Sequence, residues 1–292
     1  MFIQNLVNGI TLGSVFALIA LGYSMVYGVL FFVNFAHADV MMFGAYFSLI
    51  LLGSNLPLPI AILCSVTMCA IMGVLIEFLA YRALRGSTRL AAMTSAMGVS
   101  IILQVLAQLI WGSGTKSIRS HLDFSVTQLN LPGGITISNL QIITLAVAIV
   151  MMLGLTLYLR RTRSGKALRS TALDNEAARL MGINTNHVIS MTFAIGSALA
   201  AIAGVLLCSA YPSLTPYTGS MPGIKAFVAA VFGGIGSIPG ALIGGVLLGV
   251  IENLAKAYIS SQLSDAIVFS VLIIVLLVRP TGILGKKISE KV

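Results

Sequence analysis

Charged side chains are scarce in this chain: Asp, Glu, Lys and Arg make up 9% of its 292 residues. A soluble domain carries about 25%, so a water-facing globular surface is excluded. Histidine occurs only at His37, His121 and His187, with no pair at metal-ligand spacing, no H-E-x-x-H and no G-x-S-x-G. Metalloenzyme and serine-hydrolase chemistry therefore lack their residues, and the chain is not read as an enzyme. A phosphate loop is missing too, because Gly165-Lys166 is followed by Ala167 and Gly285-Lys286 by Lys287. Any ATP must be bound by another chain, and no cofactor is implied in this one. Cysteines are few and odd in number, at Cys64, Cys69 and Cys208 in apolar stretches, which excludes a disulfide framework and leaves them as small packing residues. The first basic residue is Arg82, so the basic start of a secretory leader is absent and the first apolar segment is expected to stay as a span.

What the chain has instead is apolar length, with 58% hydrophobic residues and 29 glycines. At ~20 residues per span this holds roughly eight to ten crossings. The expected fold is an all-α polytopic membrane protein with roughly 8–10 transmembrane or re-entrant helices, a single domain over residues 1–292. Apolar segments run over 5–30, 36–53, 57–81, 90–111, 140–159, 188–210, 223–232, 241–257 and 265–278. Residues 112–139 form a polar interlude, and 31–53 reads as a full span or as a broken or re-entrant segment. No internal repeat is evident.

The formal net charge is +9, but the basic residues form clusters, not a nucleic-acid-binding stripe. Arg82, Arg85 and Arg89 make the first cluster. Arg160, Arg161, Arg163, Lys166, Arg169 and Arg179 make the second, and Arg279, Lys286, Lys287 and Lys291 the third. Such loops mark the cytoplasmic side. Even numbers of spans separate the clusters, which puts all three on one face and leaves the side of the N-terminus open.

Ionisable residues at membrane depth are costly and default to a functional hypothesis. His37, Asp39, Glu77, Lys225, Glu252 and Lys256 qualify, a thin set for an ion pump. Asn34, His37 and Asp39 either satisfy a helix start as cap and first-turn groups or meet substrate, while Glu77 is expected to pair with Tyr81 or Arg82. Ser100, Gln104 and Gln108 recur every four residues and make one polar helical stripe. They line a pathway or bond to a neighbouring helix, and Asn5, Asn8 and Thr11 pose the same choice. Gly236, Gly240 and Gly244, with Gly245 and Gly249, repeat the spacing that lets helices approach closely in lipid, and Pro239 is expected at a tight turn.

Residues 160–187 are the most specific stretch. Asp174 can cap a short helix with Glu176 in its first turn, and Gly182 can end it as a left-handed residue. Ala177, Leu180 and Met181 share a face, suited to docking into a groove of another protein or simply solvated.

Glu176-Ala177-Ala178-x-x-x-Gly182 resembles the EAA loop through which permease subunits of ABC importers contact their ATPases. More of the chain carries a likeness: Asn8-Gly9-Ile10-Thr11-Leu12-Gly13-Ser14, Gly22-Tyr23-Ser24-Met25-Val26-Tyr27-Gly28, Asn34-Phe35-Ala36-His37, Gly182-Ile183-Asn184-Thr185, Gly223-Ile224-Lys225-Ala226-Phe227, the Gly233 to Gly245 run and Arg279-Pro280-Thr281-Gly282-Ile283-Leu284-Gly285. In this order they are similar to the LivH-type branched-chain amino-acid permeases. One departure is Ala38, where the family commonly has Gly.

The resemblance implies one of two related permease subunits in a bacterial inner membrane. Its partners would be a LivM-type permease, two cytoplasmic ATPase subunits that bind the ATP, and a periplasmic substrate-binding protein. The cargo would be leucine, isoleucine or valine. Glu176, Ala177, Ala178 and Gly182 would form the coupling helix, supported by Arg169 and Asp174. Related members carry other amino acids, urea or small amides, and a stand-alone secondary transporter is the alternative from another class. Lys116 and Arg119 would lie outside, solvated or meeting the binding protein.

Overall fold

The computed structural model describes residues 1–85, 87–118, 127–131 and 135–285. Its elements are α1 (Phe2–Leu30), α2 (His37–Gly53), α3 (Leu58–Ile76), α4 (Arg89–Trp111), β1 (Gln128–Leu131), β2 (Ile135–Ser138) and α5 (Asn139–Arg161). After them come α6 (Arg163–Leu173), α7 (Asn175–Leu180), α8 (Thr185–Ala210), α9 (Ser220–Gly233), α10 (Ile238–Tyr258) and α11 (Ser264–Val278). Among the described residues, six helices are long and apolar enough to cross a membrane, and α2, α9 and α11 are shorter apolar helices. These fall within the expected range and make the chain an all-α polytopic membrane protein.

At the centre runs α1, buried nearly along its length and packed chiefly against α10, α8, α9 and α5. Small residues permit this: a Cβ on Gly13 would sit 2.7 Å from the Val246 backbone, and one on Gly249 would overlap Gly13. Lipid gives helices no hydrophobic drive to associate, so backbone approach of this kind supplies dispersion contact instead.

One face carries the basic clusters. There a π-helical turn, Glu77–Tyr81, follows α3, and it corrects the expected partners of Glu77. The ion pair is with Arg85, and Ser190 of α8 donates to the same carboxylate at 2.6 Å. Tyr81 turns instead to Asn34, its hydroxyl donating at 2.6 Å. The wider turn rotates every side chain after Glu77 away from regular i+4 geometry.

The opposite face holds a structure the polar interlude did not announce. Strands β1 and β2 pair antiparallel, and Gln4 grips Thr136 of β2, donating to its carbonyl at 2.7 Å and accepting from its amide at 2.8 Å. Lys116 bridges to Leu214, so α4 and α8 end on this face. The N-terminus of α1 therefore lies away from the basic clusters. Arg119 falls outside the described residues, as do Lys286, Lys287 and Lys291.

Helices α2 and α9 begin inside the layer. The chain leaves α1 at Phe31 in left-handed conformation and turns back, so that His37 lies against Gly22, about 12 Å up α1 at 1.5 Å per residue. Gly219, which precedes α9, abuts the Ala38 backbone. From this shared depth α2 runs to the hairpin face. In the other direction α9 ends at Phe232 and Gly233, whose carbonyls accept from Ile283 and Leu284 beyond Arg279. Segment 31–53 thus crosses as the broken alternative, an irregular entry followed by a short helix.

Candidate functional site

The start of α2 is built by close fit. The His37 ring occupies the space above Gly22 of α1, where Gly196 of α8 comes close to both, and the Tyr23 ring stands edge-on at 4.8 Å. Any side chain on Gly22 would collide with the imidazole. Ala38 projects its methyl at Gly223, so the residue that departs from the family pattern fills a gap left by glycine on α9.

Helix α2 has Ala36 as N-cap with no side-chain cap bond, so none of Asn34, His37 and Asp39 caps it by a side chain, while His37 and Asp39 do stand in its first turn. Asn34 serves the helix start only through its backbone carbonyl, accepting from the His37 amide at 3.2 Å. Its side chain accepts from Tyr81.

Asp39 is 1% exposed, and its Oδ1 accepts from Gln104 Nε2 of α4 at 3.0 Å. The same nitrogen lies 3.3 Å from Ser100 Oγ and 3.4 Å from Ser220 Oγ of α9. Among the described residues, Asp39 Oδ2 and His37 Nε2 have no hydrogen-bond partner, and Asp39 enters no ion pair. Higher on α4, exposed Gln108 accepts from Tyr217 at 3.4 Å. The polar stripe of α4 thus descends from the hairpin side to a buried carboxylate. Ser220 and Tyr217 were missed in the sequence, since nothing local to 211–222 signals that this segment reaches Asp39.

Asn8 takes part in a separate polar region. Its Oδ1 accepts from Gln141 at 2.8 Å and Gln4 at 3.2 Å, while Thr11 donates to its own helix at Val7. Asn253 of α10 donates to the Asn5 carbonyl at 2.6 Å. Asn8, Thr11, Gln128, Thr144, Tyr211 and Asn253 help line a cavity of about 330 Å³ on the hairpin side. Gln141 was findable, because Ser138-x-x-Gln141 is a capping box and the structure forms it.

The remaining intramembrane charges neutralise one another. Lys225 contacts Glu252 at 2.8 Å and Asp265 at 2.7 Å, and Lys256 reaches Glu252 at 2.5 Å. This quartet ties α9, α10 and α11 together.

Of the glycines, Gly240 and Gly244 press on Gly233 of α9. Gly236 does not belong with them. It sits in the turn before α10 at φ 82° with only Gly28 nearby, so its role is backbone conformation and not close packing. Pro239 stands in the first turn of α10.

On the basic face, Asp174 Oδ1 accepts from the amides of Glu176 and Ala177, both at 3.0 Å. Gly182 has φ 83°. Ala178 is buried, whereas Arg169, Glu176 and Ala177 are exposed. Leu173 and Leu180 are each 88% exposed and Met181 83%. Arg179 donates to Thr185 at 2.8 Å, tying α7 to the start of α8.

Residues 5–276 match the family described as "Branched-chain amino acid transport system / permease component". The chain is 44% identical over 301 residues to the high-affinity branched-chain amino acid transport system permease protein LivH of Salmonella typhimurium, covering all of this chain and 98% of that protein. It is 45% identical over 304 residues to the corresponding permease BraD of Pseudomonas aeruginosa, with the same coverage. A shorter match, 32% over 110 residues, joins 36% of the chain to 28% of the xylose transport system permease protein XylH of Escherichia coli. No solved structure matches significantly.

Proposed function

The chain belongs to the branched-chain amino acid transport system permease family, and from that premise we propose that it forms half of the translocation pathway of an ATP-driven importer for leucine, isoleucine and valine. The observation that carries this reading is the end-to-end match to LivH and BraD. Three features of the chain support it. A phosphate loop is missing, so the ATPases are separate chains. Leu173, Leu180 and Met181 stand exposed around α7, beside Glu176, Ala177, Ala178 and Gly182. That apolar knob, stiffened by the Asp174 cap and flanked by Arg169, suits a groove on a cytoplasmic ATPase. Gln104 and Gln108 lie on a helix that is mostly uncovered. Polar side chains facing lipid are costly, and a second permease against α4 would cover them and complete the pathway.

Residues 1–292 then act as one permease domain with 160–187 as its coupling segment. The basic clusters face the cytoplasm of a bacterial inner membrane, and the hairpin and N-terminus face the periplasmic binding protein.

Purification of the tagged chain in mild detergent tests the assembly. Two ATPases and a second permease are expected to come with it. Gly182→Pro, whose ring holds φ near −65°, is expected to lose the ATPases and keep the second permease. Recovery of this chain alone, even after gentle crosslinking, overturns the proposal.

A further inference from the structure

Three oxygens from three helices converge on one nitrogen in the middle of the protein. Asp39 Oδ1 of α2, Ser100 Oγ of α4 and Ser220 Oγ of α9 lie 3.0, 3.3 and 3.4 Å from Gln104 Nε2. The Gln104 amide and the Ser100 hydroxyl both bond to Asp39 as neutral donors, and neither has a charge to offer the carboxylate. The second Asp39 oxygen, buried with the rest of the side chain, has no partner among the described residues. The other buried ionic groups are answered by opposite charge: Glu77 by Arg85, and Glu252 by Lys225 and Lys256. Among the described residues, Asp39 is the exception.

A tetrahedral ammonium brings what this arrangement lacks, three donors and a positive charge on one small group. Gln104 is partly exposed on a flexible side chain and can swing aside. We propose that Asp39, Ser100 and Ser220 form a transient binding site for the α-ammonium group of the amino acid in transit, with the Gln104 amide holding its place when the pathway is empty. This deepens the importer reading and rests on it. The site would favour amino acids over neutral cargo such as urea or amides, since only a cation relieves the unpaired carboxylate.

The test uses the full importer reconstituted with its ATPases, second permease and binding protein, with labelled leucine delivered per ATP hydrolysed as the readout. Asp39→Asn keeps the shape and removes the charge, and delivery is expected to fall about tenfold or more, as when one member of a buried charge pair is lost. Gln104→Lys supplies a resident ammonium to the same three oxygens. It satisfies the carboxylate, so assembly is expected to persist while leucine delivery is lost; this variant decides the matter if Asp39→Asn does not assemble.

Wild-type delivery in either assembled variant overturns the ammonium site and leaves the importer reading standing. Sodium-dependent uptake by the unaltered complex would assign the three oxygens to a metal ion and overturn it as well. If the unaltered complex moves no leucine, the importer reading fails and the ammonium site goes with it.

Discussion

The Tyr81 hydroxyl donates to the Asn34 carboxamide at 2.6 Å, joining the π turn below α3 to the loop that delivers α2. This bond ends a series that starts at α7. Arg179 holds Thr185, Arg85 holds Asn186 and Glu77, and Glu77 accepts from Ser190. These contacts, with the backbone between Thr185 and Asn186 and between Glu77 and Tyr81, join α7 to the loop that carries Asn34. Tyr81→Phe leaves the buried Asn34 oxygen without its donor, a loss of about 1–2 kcal/mol. A lower melting temperature in detergent is expected, with leucine uptake falling further than stability alone accounts for. Uptake equal to wild type would separate this bond from coupling.

Gly22→Ala places a methyl where the His37 ring lies. Overpacking of this kind costs about 1–3 kcal/mol, because α1, α2 and α8 cannot all keep their positions. Gly98→Ala is the matched control, since a Cβ there meets nothing within 4 Å. Thermal unfolding of both variants is expected to separate them clearly; equal melting temperatures would contradict the wedge.

Asp174→Ala removes the oxygen that accepts from Glu176 and Ala177. The cap is worth about 1 kcal/mol, so amide hydrogen exchange across α7 should quicken about fivefold. Asp174→Asn should stay near wild type, as Asn caps as well as Asp. Unchanged exchange in the alanine variant would show that packing of Ala178, not the cap, holds the helix.

Glu252→Gln strands part of the charge on Lys225, which keeps Asp265 as its remaining partner. The cost is expected at about 1–3 kcal/mol, below that of breaking an isolated buried pair. Lys256→Met added to Glu252→Gln should recover part of that loss, because the cation that Glu252→Gln leaves without a carboxylate is then gone. A double-mutant cycle by denaturation checks this, and strict additivity would argue against coupling within the quartet.

The spans, the basic face and the short capped helix over 175–180 were readable in the sequence because each is a local property. A bilayer requires about 20 apolar residues per crossing, and Asp174, Glu176 and Gly182 act within two turns of one another through cap geometry and a left-handed φ. The broken alternative for 31–53 was visible too, without the means to choose it.

Tertiary structure decided whatever depends on depth and on partners far apart in the chain. Asp39 finds Gln104 across 65 positions, and Gln104 finds Ser220 across 116. No periodicity encodes such encounters; they follow from where two short helices begin inside the layer. Regular helix spacing points Glu77 to Tyr81 or Arg82, and a π turn gives it to Arg85. Gly236 was grouped with Gly240 and Gly244 by interval, yet the chain leaves helix at that point. Composition and local spacing determine which segments enter the membrane, because transfer from water is a sum over residues. The meeting of side chains within it is set by backbone approach at glycine and alanine, a property of pairs of helices and not of either one alone.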